Sequence, residues 1–536
     1  MKSNVLSRVA ALFSAGKASH DFEFSLDELP ERICDVIVPW REQAPDHPAL
    51  IETSGRWSYR QLASAISEAK QWVGDLGVRP GDRVMLVCEN CRASVAILLA
   101  LAALDAWAVL VSTNLSAREL DEIRDHCGAR RVIYFITASR KAKEHAERHG
   151  ADVVDAGSLG SLAVGALNSN VEPEQIDPEV SHRVAAMIYT SGTTGLPKGV
   201  MLTHRNLLFV ASVSAKIRSL TPDDRIYGVL PMSHAVGLSV VLLGGLISGA
   251  TLYLSPRFDP FGAITTMEKE RLTVVLGAPA LFSLVVDYAK LRGIKSLNLS
   301  ALRIISSSGA PLQPALKAKV EELFGMPLHN GYGVTECSPN ISQAAVGERR
   351  TDTSVGRVLP GVEIRLVGPD HQPVADGEVG ELWVRGPNVM KGYYHAPEET
   401  AQAISPDGWF NTRDLARLQN RYLFIEGRTK ELIVRFGLNV YPAEVEAVLN
   451  AHPAVARSAV VGRTVEGAAG GEEVVAFVQP KAGLAVQASE IAHYAAQHLT
   501  PYKRPSHILV VLDMPLTLTG KVVKGELSKL PQFTQL

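Results

Sequence analysis

The densest run of ligand-binding residue types is Tyr189-Thr190-Ser191-Gly192-Thr193-Thr194-Gly195-Leu196-Pro197-Lys198-Gly199. Its glycines let the backbone turn so that several N–H groups converge on an anion. The hydroxyls of Thr190, Ser191, Thr193 and Thr194 add donors without bulk, and Lys198 adds a formal charge. This is chemistry for a polyphosphate. The run is not a Walker A loop, which needs Gly directly before the Lys and Ser or Thr after it, where Pro197 and Gly199 stand. The apolar segment Val184–Thr190 reads as the strand that delivers the chain to this loop. Cys88 and Cys91 form a C-x-x-C, but no second pair or His cluster accompanies it, so a strand end followed by a helix start is expected there.

Further motifs follow in order: Gly331-Tyr332-Gly333-Val334-Thr335-Glu336, Asp407-Gly408-Trp409-Phe410-Asn411-Thr412-Arg413-Asp414, Gly427-Arg428-Thr429-Lys430, then Gly437, Asn439, Tyr441, Pro442, Glu444 and Glu446, and finally Pro515 through Gly520-Lys521. Together with Ser191–Lys198 they resemble, in the same order, the signature motifs of the adenylate-forming superfamily of acyl-CoA synthetases, adenylation domains and luciferases. The resemblance runs from about residue 35 to 530 and is greatest to acyl-CoA ligases of fatty or aryl acids. Two positions depart from the family pattern. Arg413 stands where Gly is usual beside the ribose-binding Asp, and Phe436 stands where a small polar residue is usual.

The resemblance implies a reaction in two halves. A carboxylate attacks the α-phosphorus of ATP, giving acyl-AMP and pyrophosphate; the thiol of coenzyme A then displaces AMP. ATP, Mg2+ and coenzyme A are the implied cofactors. Attack of one anion on another requires positive charge where charge builds up, the role implied for Lys521, with Lys198 on the phosphates. Glu336 would hold Mg2+, a hard cation that takes oxygen ligands, and Thr335 would contact the α-phosphate. Asp414, backed by Arg428, would accept hydrogen bonds from both ribose hydroxyls. Gly309, Ala310, Pro311 and Tyr332 would bracket adenine, with Thr190, Ser191, Gly192, Thr193, Thr194, Gly195, Gly331 and Gly333 completing the nucleotide site. Lys430 takes the hinge position about which the C-terminal domain rotates between the two halves. Gly437 would let the pantetheine arm pass close to the backbone, and Phe436 would narrow that passage. Lys521 is also similar in context to lysines acted on by lysine acetyltransferases, and acetylation would delete its charge.

The acyl pocket implied by the family is lined from His234–Leu238, Ser306–Gly309 and Gly331–Cys337, above all by His234, Val236, Gly237, Leu238, Ser308, Val334 and Cys337. These stretches hold no Lys or Arg, which argues against a second carboxylate on the substrate. Pro231-Met232-Ser233-His234 offers no Asp to pair with an α-ammonium group, which argues against amino acids. A fatty or aryl carboxylic acid is expected, with His234 as a gate. The alternatives are an acyl-AMP ligase that loads a carrier-protein phosphopantetheine, and a non-catalytic binder of nucleotide and acyl groups.

The elements that must position these residues read as α/β. Strand patterns at Arg83–Val87, Val132–Ile136, Val184–Thr190, Thr273–Leu276 and Leu302–Ser306 alternate with helical patterns at Tyr59–Leu76 and Ser94–Ala103, which implies parallel sheets covered on both faces. From about residue 352 short β-rich runs (Val362–Val367, Gly380–Val384, Tyr422–Ile425) suggest a small β-barrel-like part ending near 427. Past it lies a second α/β stretch. The expectation is a large N-terminal AMP-binding domain, 1–429, of two α/β subdomains with parallel-rich sheets, and a small mobile α+β C-terminal domain, 430–536, carrying the catalytic lysine. The polar segment 160–180 reads as a surface connection.

The chain of 536 residues carries 54 Lys+Arg and 56 Asp+Glu, a net charge of −2, so no basic field exists to hold nucleic acid. Five cysteines in so long a chain point to a reducing compartment, hence to the cytoplasm. Met1–His20 reads as a short amphipathic helix docked on the protein rather than a membrane anchor. Ala235–Leu254 is uncharged and about long enough to span a bilayer. A span there would put the loop at 191–199 and the motif at 331–336 on opposite sides of a membrane, so buried helix and strand are expected and no transmembrane segment. A homodimer is the assembly expected.

Overall fold

The structure, a computed structural model, describes residues 20–22, 24–190, 197–435, 438–464, 472–517 and 520–534. The helix expected over Met1–His20 lies outside them, apart from His20.

Two large sheets form the N-terminal part. In the eight-stranded sheet the order is Gly392–Tyr393, Lys198–Thr203, Val184–Thr190, Trp107–Ser112, Arg83–Cys88, Arg131–Tyr134, Ser161–Val164 and Asp152–Asp155. Its centre is parallel, and Arg83–Cys88 is buried at all six positions. Strands covered on both faces read as continuous apolar runs for this reason. The nine-stranded sheet runs Arg357–Val358, Asn340–Gln343, Leu328–Gly333, Ile304–Ser307, Val274–Gly277, Arg225–Gly228, Thr251–Leu254, Pro48–Glu52 and Gly55–Ser58. Six of these, from Leu328–Gly333 through Pro48–Glu52, are mutually parallel. The helix Tyr59–Asp75 begins at a capping box, Ser58 Oγ accepting from Gln61 N and Gln61 Oε1 from Ser58 N. It buries Leu62, Ala65, Ile66, Ala69 and Val73 along one face, at helical spacing.

A four-stranded antiparallel sheet follows: Glu363–Val367, Val379–Arg385, Phe410–Gln419 and Tyr422–Arg428. Beyond the single turn Thr429–Glu431 come the pair Ile433–Arg435 and Leu438–Val440, and a three-stranded sheet of Val455–Thr464, Glu472–Pro480 and His507–Val510 with helices Pro442–Asn450 and Ala488–His498.

Two local readings change. The segment 160–180 is not only a connection: Ser161–Val164 pairs with Arg131–Tyr134 and Asp152–Asp155 and buries Leu162, Ala163 and Val164. Four residues between Gly160 and Gly165 are too few for a period-2 signal to stand out. The uncharged run at 235–254 is buried as expected, but its helix opens with a π-helical stretch, Val236–Leu243, followed by the helix Gly244–Ile247 and the strand Thr251–Leu254. Among the described residues no helix is long and apolar enough to cross a membrane. Cys88 ends its strand and Cys91 caps the helix Arg92–Ala103; both are buried, and all five cysteines are free.

The N-terminal starts of the nine-stranded sheet are clasped by one buried carboxylate. Asp224 accepts from Arg303 (2.5 and 2.8 Å), from the Thr273 hydroxyl (2.6 Å) and from the Thr221 amide (2.8 Å), and its own carbonyl accepts from Thr251 N. It thereby joins the strands beginning at 225, 251, 274 and 304. Asp224→Ala strands the Arg303 charge, the Thr273 hydroxyl and the Thr221 amide. The expected loss of unfolding free energy is about 3 kcal/mol, at the lower end for a broken buried pair because Arg303 keeps a third of its side chain in water. Urea unfolding of the variant checks this.

Candidate active site

The chemistry-bearing residues gather where the parallel strands of the nine-stranded sheet end, the place where open α/β sheets leave a crevice. After Gly228 the chain passes Pro231–His234 into the π-helix. There Gly237 presses so close to the Pro231 carbonyl that a Cβ would overlap it. After Ser307 it turns through Ser308, whose amide donates to Gly277 O (3.0 Å), into Gly309, Ala310 and Pro311; Gly309 has φ +83°. After Gly333 comes Val334 and the single turn Thr335–Cys337. Gly333 is again a close approach, since a Cβ would overlap the Pro339 carbonyl.

Tyr332, at the end of that strand, donates its hydroxyl to Asp414 Oδ2 (2.5 Å). Arg428, the cross-strand partner of Asp414, sets its Nε 3.1 Å from Oδ1. Asp414 is only 4 % exposed. Burial pushes its pKa up, against the pull of Arg428, the Tyr332 hydroxyl and the more distant Lys521 charge. The carboxylate therefore sits at a seam: Tyr332 belongs to the nine-stranded sheet, Asp414 and Arg428 to the antiparallel one.

Glu336 is held differently. Its Oε1 accepts the Tyr393 hydroxyl (3.0 Å), its backbone carbonyl accepts Met390 N (2.8 Å), and burial raises its pKa. Tyr393 comes from the edge strand Gly392–Tyr393, paired with Val200 and Met201. That pairing brings its ring under Lys198, whose Nζ is 5.2 Å from the ring centroid. Lys198 in turn faces Thr190 across the hairpin that carries the glycine-rich loop. Ser191, Gly192, Thr193, Thr194 and Gly195 lie outside the described residues. Tyr393 is a candidate site residue that the sequence reading missed. Its only signal is the Gly392-Tyr393-Tyr394 triplet, and nothing local says that a two-residue strand will pair with 200–201.

Lys521 is brought to the same crevice from the C-terminal part. Its amide donates to Thr517 Oγ1 (3.0 Å), and a Cβ on the preceding Gly520 would touch Ala280 at the first turn of the helix Pro279–Leu291. Burial lowers the Lys521 pKa and the Arg428 charge adds to this, while Glu431 and Asp414 oppose it. Lys524 anchors the segment through Glu431 (2.9 Å) and Glu446 (2.7 Å). Lys430 is exposed in the turn Thr429–Glu431. Phe436 and Gly437 lie outside the described residues.

Of the expected acyl lining, Val236, Leu238, Val334 and Cys337 join one apolar cluster together with Tyr332. His234 is half-buried, and burial lowers its pKa. Ser308 lies on a separate strand end, beside Gly277. Among the described residues no cluster of three metal-ligating side chains exists. A lone, partly desolvated carboxylate such as Glu336 suits Mg2+, which takes one or two protein carboxylates and completes its shell with phosphate oxygens and water.

Two outcomes follow from this geometry. Tyr393→Phe removes a hydrogen bond to a charged group, about 1.5–3 kcal/mol. A fall of about tenfold in ATP–pyrophosphate exchange, with a raised half-saturating Mg2+ concentration, is expected in a metal titration. Because burial raises both Glu336 and Asp414, each loses its charge at a higher pH than an ordinary carboxylate as pH falls. The acid limb of kcat/KM for ATP, which reports free-enzyme groups, is expected above the usual carboxylate range.

Comparison with known proteins agrees with this arrangement. A family profile described as AMP-binding enzyme matches residues 39–394, and one described as AMP-binding enzyme C-terminal domain matches 444–521. The chain is 34 % identical over 495 residues to a feruloyl-CoA synthase of Amycolatopsis sp, covering 91 % of this chain and 97 % of the relative. It is 32 % identical over 507 residues to 4-coumarate–CoA ligase 3 of Oryza sativa subsp. japonica, covering 90 % and 88 %. Among solved structures, the O-succinylbenzoate coenzyme A synthetase of Bacillus subtilis in complex with ATP and magnesium ion superposes with a TM-score of 0.79 at 28 % identity, over 92 % of this chain and 99 % of that one. The chain belongs to the AMP-binding enzyme family and has the fold of its adenylate-forming acid–CoA ligases.

Proposed function

We propose that the protein is an ATP-dependent, AMP-forming acid–CoA ligase whose substrate is an apolar aryl carboxylic acid. The observation that carries this reading is the convergence of Lys521 on Asp414 and Arg428, beside Glu336 and Lys198. It supports a role for Lys521 as the cation that meets the carboxylate and the α-phosphate. The aryl class is supported by relatives named for feruloyl and 4-coumarate acids and by an acyl lining free of Lys and Arg.

In this reading Asp414 accepts from the ribose hydroxyls while Tyr332 and Arg428 hold it in place. Glu336 would hold Mg2+, which when bound would offset charge on the phosphates. Lys198 and the glycine-rich loop grip the β- and γ-phosphates. Lys521 lies between the incoming carboxylate and the α-phosphate oxygens and stabilises the charge that gathers there. Pyrophosphate leaves, and the acyl-AMP stays on Asp414 and Thr335. Residues 430–536 then turn about Lys430 relative to 1–429 and bring Gly437 toward the pantetheine arm, so that the thiol displaces AMP. A lysine acetyltransferase acting on Lys521 would remove the charge that the first step needs. We place the enzyme in the cytoplasm, as its five free cysteines suit; sedimentation velocity tests the homodimer.

Pyrophosphate release is measured with ATP and a panel of acids (cinnamic, benzoic, fatty and malonic), with and without coenzyme A. Aryl acids are expected to give release, and coenzyme A to convert it to thioester. Release without thioester would point to a carrier-protein acceptor, and silence across the panel to a binder. Lys521→Gln is expected to lose adenylation while retaining transfer from preformed acyl-AMP to coenzyme A. Persistence of both half-reactions would remove Lys521 from the first step.

A further inference from the structure

Arg413 stands next to Asp414 in a conformation that side chains avoid, with φ +58°. It lies in a bulge: along Phe410–Gln419 the four steps from Asn411 to Leu415 face only the two from Trp383 to Glu381. The bulge is built, not loose. Asn411 Oδ1 accepts the Arg413 amide (2.7 Å), Thr412 Oγ1 donates to Leu382 O (2.8 Å) and accepts from Asp414 N (3.1 Å), and Glu381 receives both Asn411 Nδ2 (3.0 Å) and Thr429 Oγ1 (3.0 Å). Bulges beside active sites re-aim side chains. Here the result is that Asp414 turns inward and is buried while Arg413 stays exposed. Among the described residues its guanidinium has no acidic partner. It is close enough to Tyr393 for its charge to act on that phenol, the same phenol that holds Glu336 and lies under Lys198.

A left-handed arginine is disfavoured relative to glycine. An unpaired, exposed guanidinium presented on such a bulge, one residue from the buried carboxylate of Asp414, is matched to the bidentate recognition of phosphate oxygens. We propose that Arg413 is a further substrate-binding residue of this enzyme, gripping the β- and γ-phosphates of ATP and the pyrophosphate that leaves. The inference rests on the ligase reading above. It concerns the polyphosphate alone, since AMP carries neither of those groups.

Binding of Mg·ATP, pyrophosphate and AMP is measured by calorimetry for the wild type, Arg413→Gly and Arg413→Lys. Arg413→Gly is expected to weaken Mg·ATP and pyrophosphate about tenfold, to leave AMP within about twofold, and to leave thioester formation from preformed acyl-AMP unchanged; Arg413→Lys retains part of the affinity. Because glycine tolerates the left-handed conformation, the melting temperature is not expected to fall. Equal weakening of AMP and ATP would assign Arg413 to the shape of the Asp414 bulge and overturn the proposal, as would unchanged affinity for all three. A wild type that binds no ATP would instead overturn the ligase reading itself.

Discussion

One buried carboxylate joins the parts of this molecule that must cooperate. Asp414 takes a hydroxyl from Tyr332 in the nine-stranded sheet and a guanidinium from Arg428 in the antiparallel sheet, and feels the ammonium of Lys521 from the C-terminal part. Burying a carboxylate is costly unless partners compensate it. The three elements therefore define each other's positions: none can shift far without stranding a charge in a desolvated place. That constraint fixes the point at which, in the proposed function, the sugar hydroxyls of ATP bind.

The electrostatics share one direction. Burial disfavours the charged forms of Glu336, Asp414 and Lys521 alike. In the proposed function each would gain from the arrival of its opposite: a divalent cation for Glu336, hydrogen-bond donors for Asp414, phosphate and carboxylate oxygens for Lys521. The protein keeps these groups partly uncompensated, so substrate completes the interactions that the fold leaves open. This is how preorganised sites favour charge that develops during reaction.

Much of this was legible in the sequence. Long apolar strands such as Arg83–Cys88 and Val184–Thr190 announce themselves because both faces are buried. Tyr332, Glu336, Asp414, Arg428 and Lys521 stand in motifs whose family resemblance implies a common site; in the structure Tyr332 and Arg428 both contact Asp414. What was not legible is of another kind. Tyr393 reaches Glu336 through a two-residue edge strand whose pairing is decided 190 residues away in the chain, at Val200 and Met201. The strand Ser161–Val164 is too short to show a period. The π-helical turn at Val236–Leu243 has the same apolar composition as an ordinary buried helix, so composition does not distinguish the two. Arg413 read as a departure from a pattern; only its bulge gives that departure a direction.

The clasp at Asp224 lies at the opposite end of the parallel strands from the crevice. It secures the beginnings of four strands, while the loops after Gly228, Ser307 and Gly333 leave from the other ends. The clasp and the loops proposed to select the acid thus stand at opposite poles of one sheet. Loops at the crevice pole are free to be exchanged for others of different shape while the far pole keeps the strands in register, so a new acid specificity need not be accompanied by a new way of folding.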